Sequence, residues 1–324
     1  MSIEYFSKTM AWLRLIRWKN LLIIFLTQLL AWWCIILFEE PRVLDIPQFS
    51  MLSLSTILIA AAGYIINDYF DIKIDMVNKP GKVVLEYAIP RKQAIIAHSM
   101  LNAAALCLAA CVAIPAHHPE WLLLQVGCTL LLWFYSTKFK RQYITGNVVV
   151  AFLASLTILV LVVYEPILQI EIHFPLVKKT IGNYPTSLPV WILAAYAYFA
   201  FMLTWMREIV KDMEDIKGDA AEGCITMPIK KGLEFSRHFT TALSLLAIVP
   251  ICIASFVLFT HNYGPMSLYV AVLALSISTW TVFLLRGHSE RHYHLASRYL
   301  KFIMLLGIGS FIVYYLQLYP NYAT

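Results

Sequence analysis

Long apolar runs follow one another along almost the whole chain, separated by short polar stretches. The runs are close to the roughly 20 residues that a helix needs to cross the hydrocarbon core of a bilayer. Only helices and closed barrels satisfy their backbone hydrogen bonds in lipid, and these runs show no alternating pattern. The pattern predicts an all-α, polytopic membrane protein with nine transmembrane helices around a central cavity. The nine predicted spans are Leu21 to Phe38, Ser50 to Ile66, Gln93 to Ala116, Trp121 to Tyr135, Ile144 to Tyr164, Leu188 to Trp205, Phe239 to Phe259, Met266 to Leu285 and Tyr299 to Tyr319.

Composition and charge agree with that prediction. Hydrophobic residues make up 60% of the 324 residues and charged residues only 14%. If the N-terminus is cytoplasmic, all of the 25 Lys and Arg residues lie on the inner side except Arg42, Lys178 and Lys179. By the positive-inside rule we expect a multi-pass protein of the cell (inner) membrane, with its N-terminus inside and its C-terminus outside. Topology thus explains the net charge of +6 without a nucleic-acid partner, and no segment indicates an obligate protein partner.

Two acidic stretches interrupt this apolar background, 144 residues apart. Both read D-x-x-D-x-x-x-D, and together they hold six of the seven aspartates of the chain. At about 100° per residue, the three aspartates of each stretch fall near one face of a helix. The six are Asp68, Asp71 and Asp75 in the first motif and Asp212, Asp215 and Asp219 in the second.

Three carboxylates on one helical face repel one another, so a bound cation is expected to compensate them. Carboxylate oxygens suit Mg²⁺ or Ca²⁺, and Mg²⁺ commonly keeps part of its coordination for the phosphates of a substrate. The motifs therefore predict a Mg²⁺-bound diphosphate at the inner membrane boundary. Two solvated helix ends are the simpler interpretation, but the duplicated spacing and the near-exclusive use of aspartate argue against it.

A diphosphate held at the end of a lipid-embedded bundle is best explained if the rest of the ligand is a hydrocarbon. An isoprenyl diphosphate has that build. Departure of the diphosphate would leave an allylic cation for a lipophilic acceptor to attack, so the catalysis required is charge stabilisation, positioning and exclusion of water.

A cation or phosphate transporter is the alternative from a different class, because intramembrane acids often mark ion paths. A transporter would favour inverted repeats and acids near mid-membrane. The two motifs instead share one orientation and one boundary. This arrangement predicts a single membrane-embedded domain over residues 1–324, with a possible four-helix tandem repeat at about 50–164 and 188–319.

The inner loops supply candidates for binding the substrate. Cations after the first motif suit the outer oxygens of a phosphate, although the positive-inside bias alone also explains them. Hydroxyl, amide and cationic side chains meet again where the fourth span ends and the fifth begins. These candidates are Lys79, Lys82, Arg91, Tyr135, Ser136, Lys138 and Asn147.

Over nearly its whole length the chain resembles the UbiA superfamily of membrane prenyltransferases. The resemblance rests on N-D-x-x-D-x-x-x-D at Asn67 to Asp75, the second motif at Asp212 to Asp219, Tyr135-Ser136 with Lys138, and Gly146-Asn147. It implies nine helices around a cavity that opens sideways to lipid, with two Mg²⁺ ions and a prenyl diphosphate between the motifs.

The resemblance also implies a role for each matching residue. It makes Asp68, Asp71, Asp212 and Asp215 catalytic, and it adds Asn20, Asn67 and Lys211 to the substrate-binding candidates. The implied metal ligands are Asn67, Asp68, Asp71, Asp75, Asp212, Asp215 and Asp219.

Within that superfamily, the run R-E-I-x-K-D-x-E-D-x-x-G-D from Arg207 to Asp219 is most similar to one branch. That branch attaches geranylgeranyl groups to geranylgeranylglyceryl phosphate. Chlorophyll synthases and homogentisate-type enzymes share parts of the run, while Lys79-Pro80 replaces the usual Arg-Pro and Trp18 replaces a proline before Asn20. The expected acceptor is a phosphoglycerol ether, and an aromatic acid or quinone precursor stays open as the alternative.

Overall fold

The computed structural model describes residues 8–39, 41–78, 81, 83–168, 180–181, 184–185 and 188–322. Within these ranges the chain is almost entirely helical, in agreement with the prediction of an all-α protein. The α-helices are α1 (Lys8–Leu15), α2 (Trp18–Cys34), α3 (Ile46–Asn78), α4 (Arg91–Ala113), α5 (Leu122–Thr137), α6 (Thr145–Val163), α7 (Leu188–Glu214), α8 (Ile216–Ala221), α9 (Met227–Lys231), α10 (Leu233–Thr260), α11 (Gly264–Arg286) and α12 (Glu290–Tyr322).

Short elements connect these helices. Single 3₁₀ turns lie at Ile36–Phe38, Pro119–Trp121 and Phe139–Arg141. Between α6 and α7, strand β1 (Thr180–Ile181) pairs antiparallel with β2 (Tyr184–Pro185). The 3₁₀ turn between α5 and α6 matters for function, because it carries a lysine to the site described below.

Seven of the described helices are long and apolar enough to cross a bilayer, namely α3, α4, α6, α7, α10, α11 and α12. An eighth span arises if α1 and α2, which meet at a bend of 53°, are counted together. The remaining predicted span is α5, whose 16 residues rise only about 24 Å, less than the ~30 Å hydrocarbon core. The protein is therefore a multi-pass membrane protein, and the count of nine spans stays a prediction.

Large apolar side chains cover much of the outer surface of the bundle. Leu123 is 73% exposed, and Phe256, Phe259 and Leu268 are each 68% exposed. A water-soluble protein seldom leaves so many large apolar side chains in water. Lipid tails cover this surface in a membrane.

Inside, consecutive helices pack side by side, with α3 against α4, α6 against α7 and α10 against α11. Helix α12 contacts α2, α7 and α11, so the C-terminal helices pack back onto the N-terminal ones. Buried aromatic residues such as Trp280 and Phe311 fill the spaces between these helices.

Helix α3 is longer than the predicted second span. It continues twelve residues beyond Ile66, to Asn78, without a break. At 1.5 Å per residue its 33 residues extend about 50 Å, well beyond the ~30 Å core. The first acidic motif therefore lies within a continuous helix, near the end that projects from the apolar segment.

Candidate active site

A cavity of about 520 Å³ lies among α2, α3, α5, α6, α7 and α12, within the usual size range of small-molecule sites. Apolar side chains such as Ile59, Leu132, Leu153 and Phe199 form much of its surface. The ends of α3 and α7, the start of α2 and the first third of α12 together form its polar end. The charged and amide side chains there are Arg17, Asn20, Asn67, Asp71, Asp75, Lys140, Arg207, Glu208, Lys211, Asp212, Asp215, Asp219 and Lys301.

The first motif presents its carboxylates to cations of the protein itself. Asp71 is buried, accepts a 2.7 Å hydrogen bond from the Asn67 amide one turn earlier, and forms an ion pair with Lys140. Asp68 pairs instead with Arg17, at 2.7 Å between Oδ1 and the guanidinium nitrogen. Asp75 lines the cavity beside Asp71. Two carboxylates of the first motif are therefore each paired with a cation from another part of the chain.

Arg17 reaches this position through a bend in the backbone between α1 and α2. Its φ of 52° and ψ of 50° lie in the left-handed region that residues other than glycine seldom adopt. The guanidinium carbon lies 4.9 Å from the centre of the Tyr64 ring, as well as close to Asp68. Such a conformation persists only where its surroundings determine it, as is common at functional sites.

The second motif differs from the prediction that its aspartates share one face of one helix. Helix α7 ends at Glu214 and α8 begins at Ile216, with Asp215 in the break between them. Asp212 therefore lies on α7, where it accepts a 2.9 Å hydrogen bond from Asn147 on α6. Asp219 lies on α8. The prediction of a continuous helix is wrong here, because a break after Glu214 redirects the chain.

Asn78, the last residue of α3, stabilises that break. Its side-chain amide donates to the carbonyl oxygen of Asp215 at 3.1 Å, and its Oδ1 accepts from the backbone N–H of Gly218 at 2.8 Å. A Cβ atom at Gly218 would lie 2.4 Å from the Asn78 amide nitrogen, so a side chain there would displace the amide. These two bonds connect the helix of the first motif to the backbone of the second.

The start of α6 packs tightly against the 3₁₀ turn that carries Lys140. A Cβ atom at Gly146 would lie 2.8 Å from the Lys140 Cα atom and from the carbonyl oxygen of Phe139. The start of α6 therefore packs directly on this turn and holds Lys140 towards Asp71. Burial disfavours the Lys140 cation, but attraction by Asp71 and Tyr135 outweighs burial and raises the Lys140 pKa above its ordinary value.

At Asp219, in contrast to Lys140, the effect of burial on the pKa outweighs the attraction by opposite charge. Burial raises the pKa of its carboxyl group to about 6, the Lys140 cation opposes that change, and repulsion from Asp215 and Asp71 adds to it. The carboxylates of the two motifs thus lie near enough to influence one another. A positive charge bound among them would favour the ionised form of Asp219.

Among the described residues, no three His, Cys, Asp or Glu side chains lie close enough together to hold a metal ion. The donor chemistry nevertheless fits a hard divalent cation, because five aspartates from both motifs line one cavity. The contacts of Asp71 with Asn67 and Lys140 both use Oδ2, so its Oδ1 atom could bind a metal ion while Lys140 stays in place. The five are Asp71, Asp75, Asp212, Asp215 and Asp219.

Most residues expected at the site do line the cavity, including Asn20, Asn67, Tyr135 and Lys211. Three others lie just behind its surface. Asp68 contacts Arg17, Asn147 contacts Asp212, and the buried Ser136 donates to the carbonyl oxygen of Leu132 at 2.9 Å.

The structure does not place every expected cation in the cavity. Lys138 and Arg91 are exposed, and Arg91 pairs with Glu86 at 2.5 Å. Helix α5 ends at Thr137, and the following turn directs Lys140 rather than Lys138 inward. Lys79 and Lys82 lie outside the described residues.

Sequence reasoning missed several residues that the structure brings to the site, among them Arg17, Asn78, Lys140 and Lys301. Lys301 carried a usable signal, because an ionisable residue inside a predicted membrane span is expensive and usually functional. The other three carried none, since they are ordinary members of polar or basic segments. Only the tertiary packing distinguishes Lys140 from its neighbours.

Comparisons with known proteins identify the family of the chain. The sequence model of the UbiA prenyltransferase family matches residues 27–315. A digeranylgeranylglyceryl phosphate synthase of Methanothermobacter thermautotrophicus is 30% identical over 82% of this chain and 84% of its own length. One of Thermococcus sibiricus is 29% identical over 78% of this chain and 79% of its own length.

Solved structures show the same fold. A structure of digeranylgeranylglyceryl phosphate synthase superposes with a TM-score of 0.65 at 27% identity, over 96% of this chain and 99% of that chain. A UbiA homologue from Archaeoglobus fulgidus bound to GPP and Mg²⁺ gives a TM-score of 0.58 at 15% identity, over 93% and 99% of the two chains. The chain therefore belongs to the UbiA prenyltransferase family and is a membrane-embedded prenyltransferase.

Proposed function

We propose that this enzyme transfers a geranylgeranyl group from its diphosphate to the hydroxyl group of a phosphoglycerol ether, releasing diphosphate, with Mg²⁺ as cofactor. The observation that carries the proposal is the cavity itself, in which two acidic motifs share one end of an otherwise largely apolar space. The relatives named digeranylgeranylglyceryl phosphate synthase support the acceptor. The Archaeoglobus homologue with GPP and Mg²⁺ supports the class of donor and the metal.

The carboxylates that line the polar end would hold the Mg²⁺ ions, with Asp71 and Asp75 on one side and Asp212, Asp215 and Asp219 on the other. Bound Mg²⁺ supplies positive charge to the leaving diphosphate. Lys140 lines the cavity beside Asp71 and is a protein cation that can contact the same phosphates. The isoprenyl chain would extend along the apolar surface formed by residues such as Ile59 and Leu132.

In the reaction, the bond between C1 of the prenyl group and the diphosphate oxygen breaks, and the diphosphate leaves with the electron pair. The acceptor oxygen then bonds to C1 and its hydroxyl proton passes to the released diphosphate, which yields an ether. Tyr64 and Tyr135 are the aromatic residues near the charged end of the cavity, where their ring faces would stabilise positive charge on C1. The apolar surface excludes water that would otherwise capture the cation.

The same proposal includes the position of the protein in the membrane. The first motif lies near the C-terminal end of α3, and the second begins near the C-terminal end of α7 and continues into α8. Both motifs contribute to one cavity, which supports a single domain with a parallel tandem repeat. The distribution of Lys and Arg supports a cell (inner) membrane location with a cytoplasmic N-terminus. Donor and acceptor would then both enter from the inner leaflet.

An acceptor panel tests the proposal. Purified protein is incubated with labelled geranylgeranyl diphosphate and, separately, with a geranylgeranylglyceryl phosphate, an aromatic acid or a quinone precursor, each with and without Mg²⁺. We expect a Mg²⁺-dependent ether product and release of diphosphate with the phosphoglycerol ether alone. Prenylation of an aromatic acceptor without turnover of the phosphoglycerol ether would overturn the proposal.

A further inference from the structure

A second group of cations lies at the polar end of the cavity, apart from Lys140. Lys301 on α12 donates a hydrogen bond of 2.5 Å to the side-chain oxygen of Asn20 on α2. The side chain of Arg207 on α7 lines the same cavity. Three helices therefore direct two cations and an amide into one part of the site.

These cations are not fully compensated by the protein. Among the described residues, no carboxylate lies within ion-pair distance of Lys301, whose only hydrogen-bond partner there is the neutral Asn20 side chain. Arg17 and Arg207 line the same cavity as Lys301, so the neighbouring side chains add further positive charge. A partly buried ammonium group among other cations is unfavourable unless an anion joins it.

Arg207 does not use all of its hydrogen-bond donors within the described part of the protein. One guanidinium nitrogen pairs with Glu208 at 2.9 Å, and Glu208 is shared with Lys211 at 3.0 Å. The Nε atom of Arg207 is buried and has no hydrogen-bond partner among the described residues. A buried guanidinium N–H without a partner is costly, so it indicates a ligand acceptor atom.

We propose that Lys301, Arg207 and Asn20 form a binding subsite for the phosphate monoester of the acceptor, separate from the carboxylates that hold the donor diphosphate. The inference rests on the proposed function, because it assigns the acceptor head group within the same cavity. A phosphate offers several oxygens with two negative charges, enough to engage both cations. Lys301 is then the residue that makes the enzyme select a phosphorylated acceptor over a neutral one.

The donor diphosphate and the acceptor phosphate would bind groups of different charge. The donor end combines aspartates from both motifs with Lys140, so it requires metal ions before a diphosphate can bind there. The Lys301 end is positive without any metal. An acceptor phosphate can therefore bind these cations without a metal ion, while its hydroxyl group remains inside the same cavity as the prenyl donor.

The test removes the charge from the enzyme and the phosphate from the ligand independently. Full-length Lys301→Met, Lys301→Arg and wild-type enzymes are reconstituted in lipid vesicles and assayed with a geranylgeranyl glycerol ether, with and without its phosphate. Lys92→Met is the matched control, because Lys92 is exposed near the start of α4 and does not line the cavity. The KM for geranylgeranyl diphosphate is measured for every variant.

We expect Lys301→Met to lower kcat/KM for the phosphorylated acceptor by roughly 10- to 100-fold, the range of a charge-assisted hydrogen bond. Turnover of the dephosphorylated ether and the KM for the donor should stay within about twofold. Lys301→Arg should recover most of the loss, and Lys92→Met should resemble the wild type. Equal losses with both acceptors, or a rise confined to the donor KM, would overturn the subsite.

The same data separate this inference from the proposed function. If the wild type turns over no phosphoglycerol ether, the proposed function fails and the subsite fails with it. If the wild type does so and Lys301→Met keeps full kcat/KM, only the subsite fails.

Discussion

The backbone N–H of Gly218 donates a 2.8 Å hydrogen bond to the side-chain oxygen of Asn78, 140 residues earlier in the chain. The Asn78 amide also bonds to the carbonyl oxygen of Asp215. One short side chain thus joins the end of α3 to the helix break within the second acidic motif. The relative position of the two motifs depends on the absence of a side chain at Gly218.

Gly218→Ala should therefore impair catalysis. The added Cβ atom would lie within 2.4–2.6 Å of the Asn78 amide atoms, so the amide must move and both hydrogen bonds weaken. Misplacing groups by about 1 Å can cost on the order of 100-fold in rate, and we expect a loss of at least about tenfold in kcat/KM. Gly127→Ala is the matched control, because a Cβ atom there meets open space. Similar activities for the two variants would contradict this role of Gly218.

The sequence and the structure agree most where the chemistry is local. Apolar run length identifies the long helices, and the spacing of Asp68, Asp71 and Asp75 correctly places them in a helix. The second copy has the same spacing but a break at Asp215. Spacing could not reveal that break, because it is stabilised by Asn78, which is distant in sequence.

The cations that enter the cavity could not be predicted from the sequence either. Arg91 was predicted because it follows the first motif closely, and Lys138 because it lies where the fourth predicted span ends; the structure places both on the surface. The residues that enter the cavity, such as Lys140 and Lys301, are selected by the turn after α5 and by the packing of α12 on α2. Such contacts depend on tertiary structure. The positive-inside bias enriches all inner loops in lysine and arginine, so charge alone does not identify the lysines that enter the cavity.

Comparing two neighbouring lysines tests the assignment of Lys140. Lys140→Gln removes the ion pair with Asp71 and the cation nearest the motifs, so we expect kcat/KM to fall by roughly 10- to 100-fold. Lys138→Gln, at an exposed position outside the cavity, should lose far less. Steady-state kinetics with the donor varied would show the difference, and a larger loss at position 138 would contradict the structure.

The raised pKa of Asp219 predicts how stability depends on pH without metal. The folded protein holds the Asp219 proton up to about pH 6, whereas an unfolded aspartate releases it near pH 4. The contribution to stability is therefore fully present below about pH 4 and is lost as the pH rises through about 6. We expect thermal unfolding in EDTA to show a decrease in Tm on the order of a few °C between pH 5 and pH 7.

Asp219→Asn should remove much of that decrease, because an amide does not titrate. In the wild type, added Mg²⁺ should raise Tm more at pH 7.5 than at pH 5, since the metal binds the ionised carboxylate. An unchanged pH profile in Asp219→Asn would show that other groups cause it.

Membrane topology gives a further expectation. Starting from a cysteine-free variant, Lys230→Cys should react with an impermeant reagent only from the cytoplasmic side, and His261→Cys only from the opposite side. Both positions are exposed, at α9 and in the loop between α10 and α11. Labelling of both from one side would refute the proposed orientation.

The central claim is that the two acidic motifs together hold one Mg²⁺-bound diphosphate. Its most direct test is the binding of a non-hydrolysable geranylgeranyl thiodiphosphate to purified wild type, Asp71→Asn, Asp212→Asn and the double variant, with and without Mg²⁺. We predict Mg²⁺-dependent binding in the wild type, loss of roughly 100-fold or more in each single variant, and little further loss in the double variant, because the residues act as a unit. Wild-type binding that ignores Mg²⁺, or either single variant that binds like the wild type, would contradict the account.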